Sequence, residues 1–370
     1  MSLVDLTNYM NTHRNWEEEL AKEPFCFKVN RDGEYLLIKY DIGTDFNADL
    51  THYARGVIFK EDRPSHYVCV CHPFDKFFNY GESYAASIDW NSAIVREKVD
   101  GSLIKVWYDN NKWHISTNGM VDAFKASANE TISFGELFLR AINNDYSFFD
   151  GLNINDIYMF ELVSPENELV VKYNETALYY LGERNTDSDV EAFNYTEHLN
   201  KYGIKNPRVY KLNNLDDVVN LVNTFGDDEE GCVVCDKNFN RIKVKGQAYL
   251  AAFMYRCQMS VSTKKILAAI LNETIDDWAA YNPSIKEKND RIFKIFHKIA
   301  KQYEKGWDEV HNMNFDTKKD LVLYCKDNYP NEANYIFKKI GNPNLTGMDY
   351  ILNLTRPAIL RLIEEADKYV

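Results

Sequence analysis

Arg96-Glu97-Lys98-Val99-Asp100-Gly101-Ser102-Leu103 is the stretch from which the rest of this chain can be read. It follows the apolar residues Ala93, Ile94 and Val95 and leads into a strand-like run from Leu103 to Tyr108. A lysine, an aspartate two residues later and then Gly-Ser fall at the break between two extended segments. Glycine at such a break lets the backbone turn and come close to a ligand. Taken alone, the octapeptide reads more readily as a β-turn with a solvated lysine, because Asp-Gly is a common turn pair. Its meaning depends on what stands around it.

Downstream, the pattern predicts strands over 103–108 and 113–117 with a polar turn at 109–112, and then Asn118-Gly119. A helix is expected from Val121 to Asn143, with Phe134, Leu137, Phe138 and Ala141 on one face. Further strands are expected over Ile157–Val163 and Ala177–Gly182, a helix near Leu215–Phe225, and a hairpin joining Cys232–Cys235 to Arg241–Lys245. Upstream, residues 4–22 read as one helix. Phe25–Val29 and Tyr35–Tyr40 read as a hairpin around Asp32-Gly33. Strands over Ala54–Phe59 and His66–Cys71 precede Pro73-Phe74-Asp75-Lys76-Phe77-Phe78-Asn79.

After about residue 246 the strand pattern stops. Ile292, Ile295, Phe296, Ile299 and Tyr303 form a helical apolar stripe. Asp316 is the expected cap of a helix through Leu321, Leu323 and Tyr324. Thr355 and Pro357 are expected to open the last helix. The expected organisation is a mixed α+β part over 1–246 and an all-helical part over 247–370.

A chain of 370 residues is long enough for two domains, and 45% hydrophobic with 27% charged residues is ordinary for a globular protein. No run of about 18 apolar residues occurs, so no membrane helix and no membrane partner are expected. The N-terminus lacks a basic region followed by an apolar core, so no secretory signal is expected. Seven cysteines without repeated spacing suggest free thiols in a reducing compartment, the cytoplasm. Cys232 and Cys235 lie three apart on an expected strand, point to opposite faces, and read as small core residues rather than metal ligands.

The net charge of −13 predicts modest non-specific binding to nucleic acid. The charge is uneven: residues 251–370 carry 18 basic against 16 acidic residues, the first 250 carry 25 against 40.

Three further groups bear on Lys98. Glu161 stands inside Ile157-Tyr158-Met159-Phe160-Glu161-Leu162-Val163, where a carboxylate is costly unless partnered; an edge-strand residue facing water would look the same. Glu230-Gly231 leads an acidic loop into a strand. Lys243 and Lys245, two apart on a strand, point the same way and can hold a phosphate, although an amphipathic strand shows the same alternation.

Lys98-Val99-Asp100-Gly101, Phe160-Glu161, Glu230-Gly231 and Lys243-Val244-Lys245 occur in that order, each in or beside an expected strand. The ordered set resembles the covalent nucleotidyltransferases, which comprise ATP-dependent RNA and DNA ligases and mRNA capping enzymes. Ala54-Arg55-Gly56-Val57-Ile58-Phe59, the segment around Lys76, and Glu161-Leu162-Val163-Ser164-Pro165-Glu166-Asn167 narrow it to RNA ligases of the T-even phage tRNA-repair type.

The resemblance implies a nucleotidyltransferase domain of antiparallel sheets with flanking helices, followed by an all-α domain that confers tRNA preference. It implies that Lys98 carries AMP and that Asp100 orients the nucleophile or ribose, with Gly101 also in the nucleotide site. Glu161 would bind the ribose. Glu230 would place Mg²⁺ or Mn²⁺, hard cations that take carboxylate, water and phosphate oxygens. Arg55, Lys76, Lys243 and Lys245 would contact the phosphates of ATP.

The implied partners are RNA with 5′-phosphate and 3′-hydroxyl ends, including nicked tRNA, joined by a monomeric enzyme in the cytoplasm, that of a bacterial host for a phage protein. Tyr180, ahead of Glu183-Arg184, is a weak candidate for stacking on adenine. A DNA ligase or a capping guanylyltransferase shares the core motifs but would place a β-barrel after Lys245. A catalytically silent RNA-binding module would not need these side chains intact. The chain departs from the subgroup at Asn118, where a basic residue is usual; Lys125 is the nearest candidate in sequence to replace it.

Overall fold

The expected turn at Asp32-Gly33 forms with Gly33 at φ +62°, joining β1 (Phe27–Asp32) to β2 (Tyr35–Tyr40). The computed structural model describes residues 3–41, 43–129, 131–167, 169–256, 270 and 283–366. It divides the chain into two units, Met1–Arg256 and Cys257–Val370.

The first unit holds three sheets. In the first, β1 and β2 are followed by β3 (Arg55–Arg63) and β4 (His66–Cys71), in the order β1-β2-β3-β4. The remaining strands are β5 (Phe78–Asn79), β6 (Ile94–Lys98), β7 (Ser102–Asp109), β8 (Lys112–Thr117), β9 (Asp156–Val163), β10 (Ala177–Asn185), β11 (Glu191–Ala192), β12 (Val209–Tyr210), β13 (Gly231–Cys235) and β14 (Arg241–Lys245). They form a second sheet, β11-β10-β9-β7-β8, and a third, β12-β6-β13-β14-β5. Among the described residues, these strands pair antiparallel except β14 with β5.

Each sheet buries one face under helices. Leu6, Met10, Trp16 and Leu20 of α1 (Leu3–Thr12) and α2 (Trp16–Leu20) pack on Leu36, Ile38, Val57 and Phe59 of the first sheet. Leu137 and Phe138 of α3 (Phe134–Ala141) pack on the second, with Phe148, Phe160 and Tyr180. A short α4 (Glu197–Lys201) adds Leu199 to that core. Val218 and Val222 of α5 (Leu215–Val222) cover the third with Cys232 and Val234. The other faces of the first two sheets meet through Tyr35, Leu37 and Ile58 against Trp107, Val121 and Ile157.

Two expected helices are shorter than their periodicity suggests. The segment over 4–22 breaks after Thr12 so that Trp16 can enter the core, its ring 5.3 Å from Tyr67. The helix expected over 121–143 begins only at Phe134. Ser133 caps it and forms a capping box with Glu136, while Ala123 is tied to Ile115 of β8. The stop-and-start signal sat inside the apolar pattern.

The division of the chain falls after Arg256 rather than after residue 246. Helix α6 (Gln247–Arg256) belongs with the first unit because Tyr249 and Leu250 are buried with Val170 and Val171.

In the second unit, the helix Pro283–Val310 buries Ile292, Ile295, Phe296, Ile299 and Tyr303, as the stripe predicts. Helices Lys318–Asn328, Ala333–Gly341, Gly347–Leu352 and Arg356–Ala366 follow. The cap of the first of these is Thr317, not Asp316: its hydroxyl accepts from Asp320, which answers with its own carboxylate. Pro357 lies in the first turn of the last helix. Among the described residues, no helix is long and apolar enough to cross a membrane.

Candidate active site

Three residues, Val99, Asp100 and Gly101, carry the chain from β6 of the third sheet to β7 of the second. Lys98 thereby ends one sheet where the other begins. Gly101 is required by space: a Cβ there would lie 2.5 Å from the Leu162 carbonyl oxygen and 2.9 Å from Glu161 Cγ.

The two neighbouring strands complete the arrangement. Gly231 is the cross-strand partner of both Lys98 on β6 and Lys245 on β14. Glu230, just before it, is buried and holds both lysines. Lys98 Nζ donates to Oε2 at 2.6 Å, and Lys245 Nζ lies 3.0 Å from Oε1. A Cβ on Gly231 would sit 2.1 Å from the Val244 carbonyl oxygen, and its φ of +148° suits glycine. This close three-strand register is why Glu-Gly and Lys-x-Lys occur together.

Glu161 enters from β9, opposite Leu103 and Tyr179. Burial pushes its carboxyl up from 4.5 to about 7; Lys98 and Arg55 oppose that rise, and Glu230 and Asp100 add to it. Lys98, Glu161, Glu230, Lys245 and Arg55 thus share one electrostatic neighbourhood. Arg55 Nη1 is buried without a hydrogen-bond partner, and burial lowers the pKa of its guanidinium. Lys243 Nζ stands 5.5 Å from the centre of the Phe77 ring, as Arg55 does at 5.4 Å. Lys76 sits in an aromatic cage: its Nζ is 4.5, 5.2 and 5.4 Å from the ring centres of Tyr40, Phe46 and Phe78. It donates to the Tyr40 hydroxyl at 3.0 Å.

Asp100 is held by the chain on both carboxylate oxygens. Its Oδ2 accepts from the backbone N–H groups of Val170 and Val171, both at 2.8 Å, and Oδ1 accepts from the Tyr249 hydroxyl at 2.9 Å. Both oxygens are taken by the chain itself, so Asp100 anchors the turn that carries Lys98. Tyr180 is fully buried in the core of the second sheet and is excluded as a stacking surface. Arg184 is likewise internal. It and Arg241 share the buried Glu191, and this network ties β10 and β11 to β14.

Sequence reasoning missed Tyr249, Val170 and Val171. Backbone donors carry no residue signature, and Tyr249 lies beyond the last motif. Cys232 and Cys235 are buried, with free thiols.

Residues 53–261 match the family model described as RNA ligase. The chain belongs to the RNA ligase family. It is 24% identical over 83% of its length to an RNA ligase of Rhodothermus phage RM378, 83% of which is covered. It is 30% identical over 71% of its length to a candidate bifunctional polynucleotide kinase/RNA ligase of Autographa californica nuclear polyhedrosis virus, spanning 40% of that longer protein. An archaeal ATP-dependent RNA ligase structure aligns with 80% of this chain and 82% of its own at 13% identity, with a TM-score of 0.46.

Of the cations in the site of this RNA ligase, Lys98 and Lys245 are paired with Glu230, and the buried Nη1 of Arg55 is left for an acceptor from outside the chain. Among the described residues, no three His, Cys, Asp or Glu side chains gather into a metal cage. Both oxygens of Glu230 are engaged by Lys98 and Lys245, so Glu230 would share a divalent cation with phosphate oxygens only in place of one of these contacts.

Proposed function

We propose that this protein is an ATP-dependent RNA ligase that seals 5′-phosphate and 3′-hydroxyl RNA ends, in tRNA repair, by way of lysyl-AMP and RNA-adenylate. The observation that carries the reading is the pairing of Lys98 and Lys245 through one buried carboxylate, Glu230, at a junction of two sheets. A solvated turn lysine has no need of such a setting.

In the first step Lys98 Nζ, having lost a proton, attacks the α-phosphorus of ATP. A phosphoramide bond forms and pyrophosphate leaves. In the second, an oxygen of the RNA 5′-phosphate attacks the same phosphorus and frees the lysine, leaving AMP on the RNA. In the third, the 3′-hydroxyl attacks the RNA 5′-phosphorus, its proton is lost, and AMP departs. Lys243 and Lys245 offset charge on the α-phosphate, Arg55 and Lys76 hold the outer phosphates, and Glu161 accepts from the ribose. Glu230 would hold Mg²⁺ or Mn²⁺ together with phosphate oxygens, and the ion would supply further charge neutralisation. Asp100 acts through the turn it anchors.

The test is incubation with ATP labelled at the α-phosphate, and separately with GTP, followed by denaturing electrophoresis. Label from ATP retained on the protein supports the reading. Label from GTP alone identifies a capping-type activity, and no label from either rejects covalent nucleotidyl transfer.

A further inference from the structure

Residues 72–77 join β4 to β5 and carry two parts of the candidate site, Lys76 and Phe77. The centre of the Phe77 ring is 5.4 Å from Arg55 Cζ and 5.5 Å from Lys243 Nζ. A shift of this segment would therefore move the surface against which both cations rest. At its head stands His72, which is 2% exposed and enters none of the motifs. Its Nδ1 lies 2.6 Å from Oδ1 of Asp189, in the turn between β10 and β11, and its Nε2 lies 2.8 Å from Asp75 Oδ1.

An ionised carboxylate only accepts, and a neutral imidazole has a single N–H to give. Both contacts can be made at once only by the imidazolium. Burial alone would raise the two carboxyls, but His72 and then Arg184 hold both below the usual carboxylate range. Burial would likewise lower the His72 imidazole. Asp189 and then Asp75 outweigh burial and the opposing charge of Arg184, and bring it above the ordinary 6.5.

The charged and titratable groups around the ring form one network. From β10, Arg184 Nη1 donates to Asp189 Oδ1 at 3.1 Å, while its Nη2 lies 3.8 Å from Asp75 Oδ1 and donates to Glu191 Oε1 at 2.5 Å. From β14, Arg241 holds the other oxygen of Glu191 and lies 4.4 Å from the centre of the Phe74 ring. The Tyr53 ring centre is 6.1 Å from that of His72, and its phenol, raised by burial to about 12, stays neutral. With His72 charged, the cations His72, Arg184 and Arg241 balance the anions Asp75, Asp189 and Glu191. Of these six, His72 alone has an ordinary pKa near neutrality, and losing its proton unbalances a network held largely out of water.

We propose that His72 is a positioning residue of the ligase site: as an imidazolium bridging Asp75 and Asp189, it pins the segment bearing Lys76 and Phe77 to the turn between β10 and β11. The task given to that segment rests on the proposed function. Loss of the ring proton leaves a nitrogen lone pair facing a carboxylate oxygen, so one of the two contacts must open. Arg55 and Lys76 hold the outer phosphates of ATP in the proposed function. An opened bridge therefore weakens ATP binding rather than the chemistry at Lys98.

The test follows AMP-adduct formation against ATP concentration and pH in the full-length protein, and the protonation of the ring by nitrogen NMR of labelled histidine. His72→Gln, uncharged and with one nitrogen to donate from, should raise the KM for ATP about 10-fold, the scale of one hydrogen bond to a charged group, with kcat within about twofold. In the wild type, KM should climb as pH rises past the point where the imidazolium loses its proton. In Asp189→Asn the climb should vanish, because the introduced amide can donate to a neutral ring. Both His72 ring nitrogens should be protonated at about pH 7.5, roughly a unit above the ordinary imidazole value. Their resonances are assigned by their loss in His72→Gln or their shift in Asp189→Asn. If His72→Gln does not fold, Asp189→Asn and the spectrum still decide. A neutral ring at that pH overturns the assignment, as does a fall in kcat at unchanged KM, the mark of a fold merely destabilised. So does an equal pH dependence of KM in the wild type and Asp189→Asn. A wild type that takes no label from ATP while its ring stays protonated defeats the proposed function and leaves the bridge standing, which separates the two failures.

Discussion

The hydroxyl of Tyr249 donates to the carboxylate of Asp100 at 2.9 Å, across 149 residues of sequence. This contact joins the turn that carries Lys98 to helix α6, beyond the last recognisable motif. Tyr249→Phe should leave a buried carboxylate oxygen short of a donor and lower stability by about 1–3 kcal/mol. Denaturant unfolding of the two proteins measures it. A fragment ending at residue 246 should be less stable than one ending at 256, since only the longer one keeps the contact.

Lys98→Ala should abolish label transfer from ATP, and with it sealing of 5′-phosphate RNA. Joining of RNA that is already adenylylated should survive, because the third step bypasses the lysine. Glu230 keeps Lys245 as a partner in this variant, so the fold should persist. Label on the alanine protein would place the nucleophile elsewhere.

Glu161 gives the stability a pH dependence of defined sign. Its carboxyl is raised from 4.5 to about 7 in the fold. Between those values the folded protein holds a proton that the unfolded chain releases, so stability falls as pH rises through the window and levels off above it. Asp100, also raised by burial, acts in the same direction. Unfolding free energies from pH 5 to 8 should therefore decline in the wild type. Glu161→Gln should flatten the decline, and an equal slope in both proteins would show that Glu161 titrates normally.

Two glycines with positive φ should respond differently to alanine. At Gly231 the new methyl meets backbone atoms, the nearest at 2.1 Å, between the strands bearing Lys98 and Lys245. Strain and overpacking should cost roughly 2–5 kcal/mol and remove adduct formation. Gly33, with φ +62°, has nothing within 4 Å of its Cβ position, so alanine there should cost about 1 kcal/mol and spare activity. Thermal unfolding with the adduct assay distinguishes them.

Lys98, Glu230 and Lys245 could be singled out by their resemblance to family motifs, but the register of β6, β13 and β14 that brings them together was not readable from residue types. The partners of Asp100 were not legible, because two of them are backbone N–H groups. The helix expected over 121–143 failed for a related reason: hydrogen bonds of Ala123 to Ile115 and of Ser133 to Glu136 outweighed an apolar repeat. Tyr180 was a stacking candidate only while its strand was read without the core behind it.

The helical unit provides the last prediction. Of its paired lysines, Lys264-Lys265 lie outside the described residues. Lys339 is engaged within the unit, 2.6 Å from Glu304, and Lys338 stands 5.4 Å from the Tyr350 ring centre. Lys318 and Lys319 are exposed in the first turn of their helix and are the better candidates for RNA backbone contacts. A fragment ending at residue 256 should still form the AMP adduct and join simple single strands, because every motif residue lies within it. Its rate advantage on nicked tRNA over an unstructured RNA of equal length should disappear. In the full-length protein, Lys318→Ala with Lys319→Ala should reduce that advantage without changing adduct formation. An unchanged ratio of the two sealing rates in both proteins would make the helical unit a structural appendage, and its lysines a solvated face.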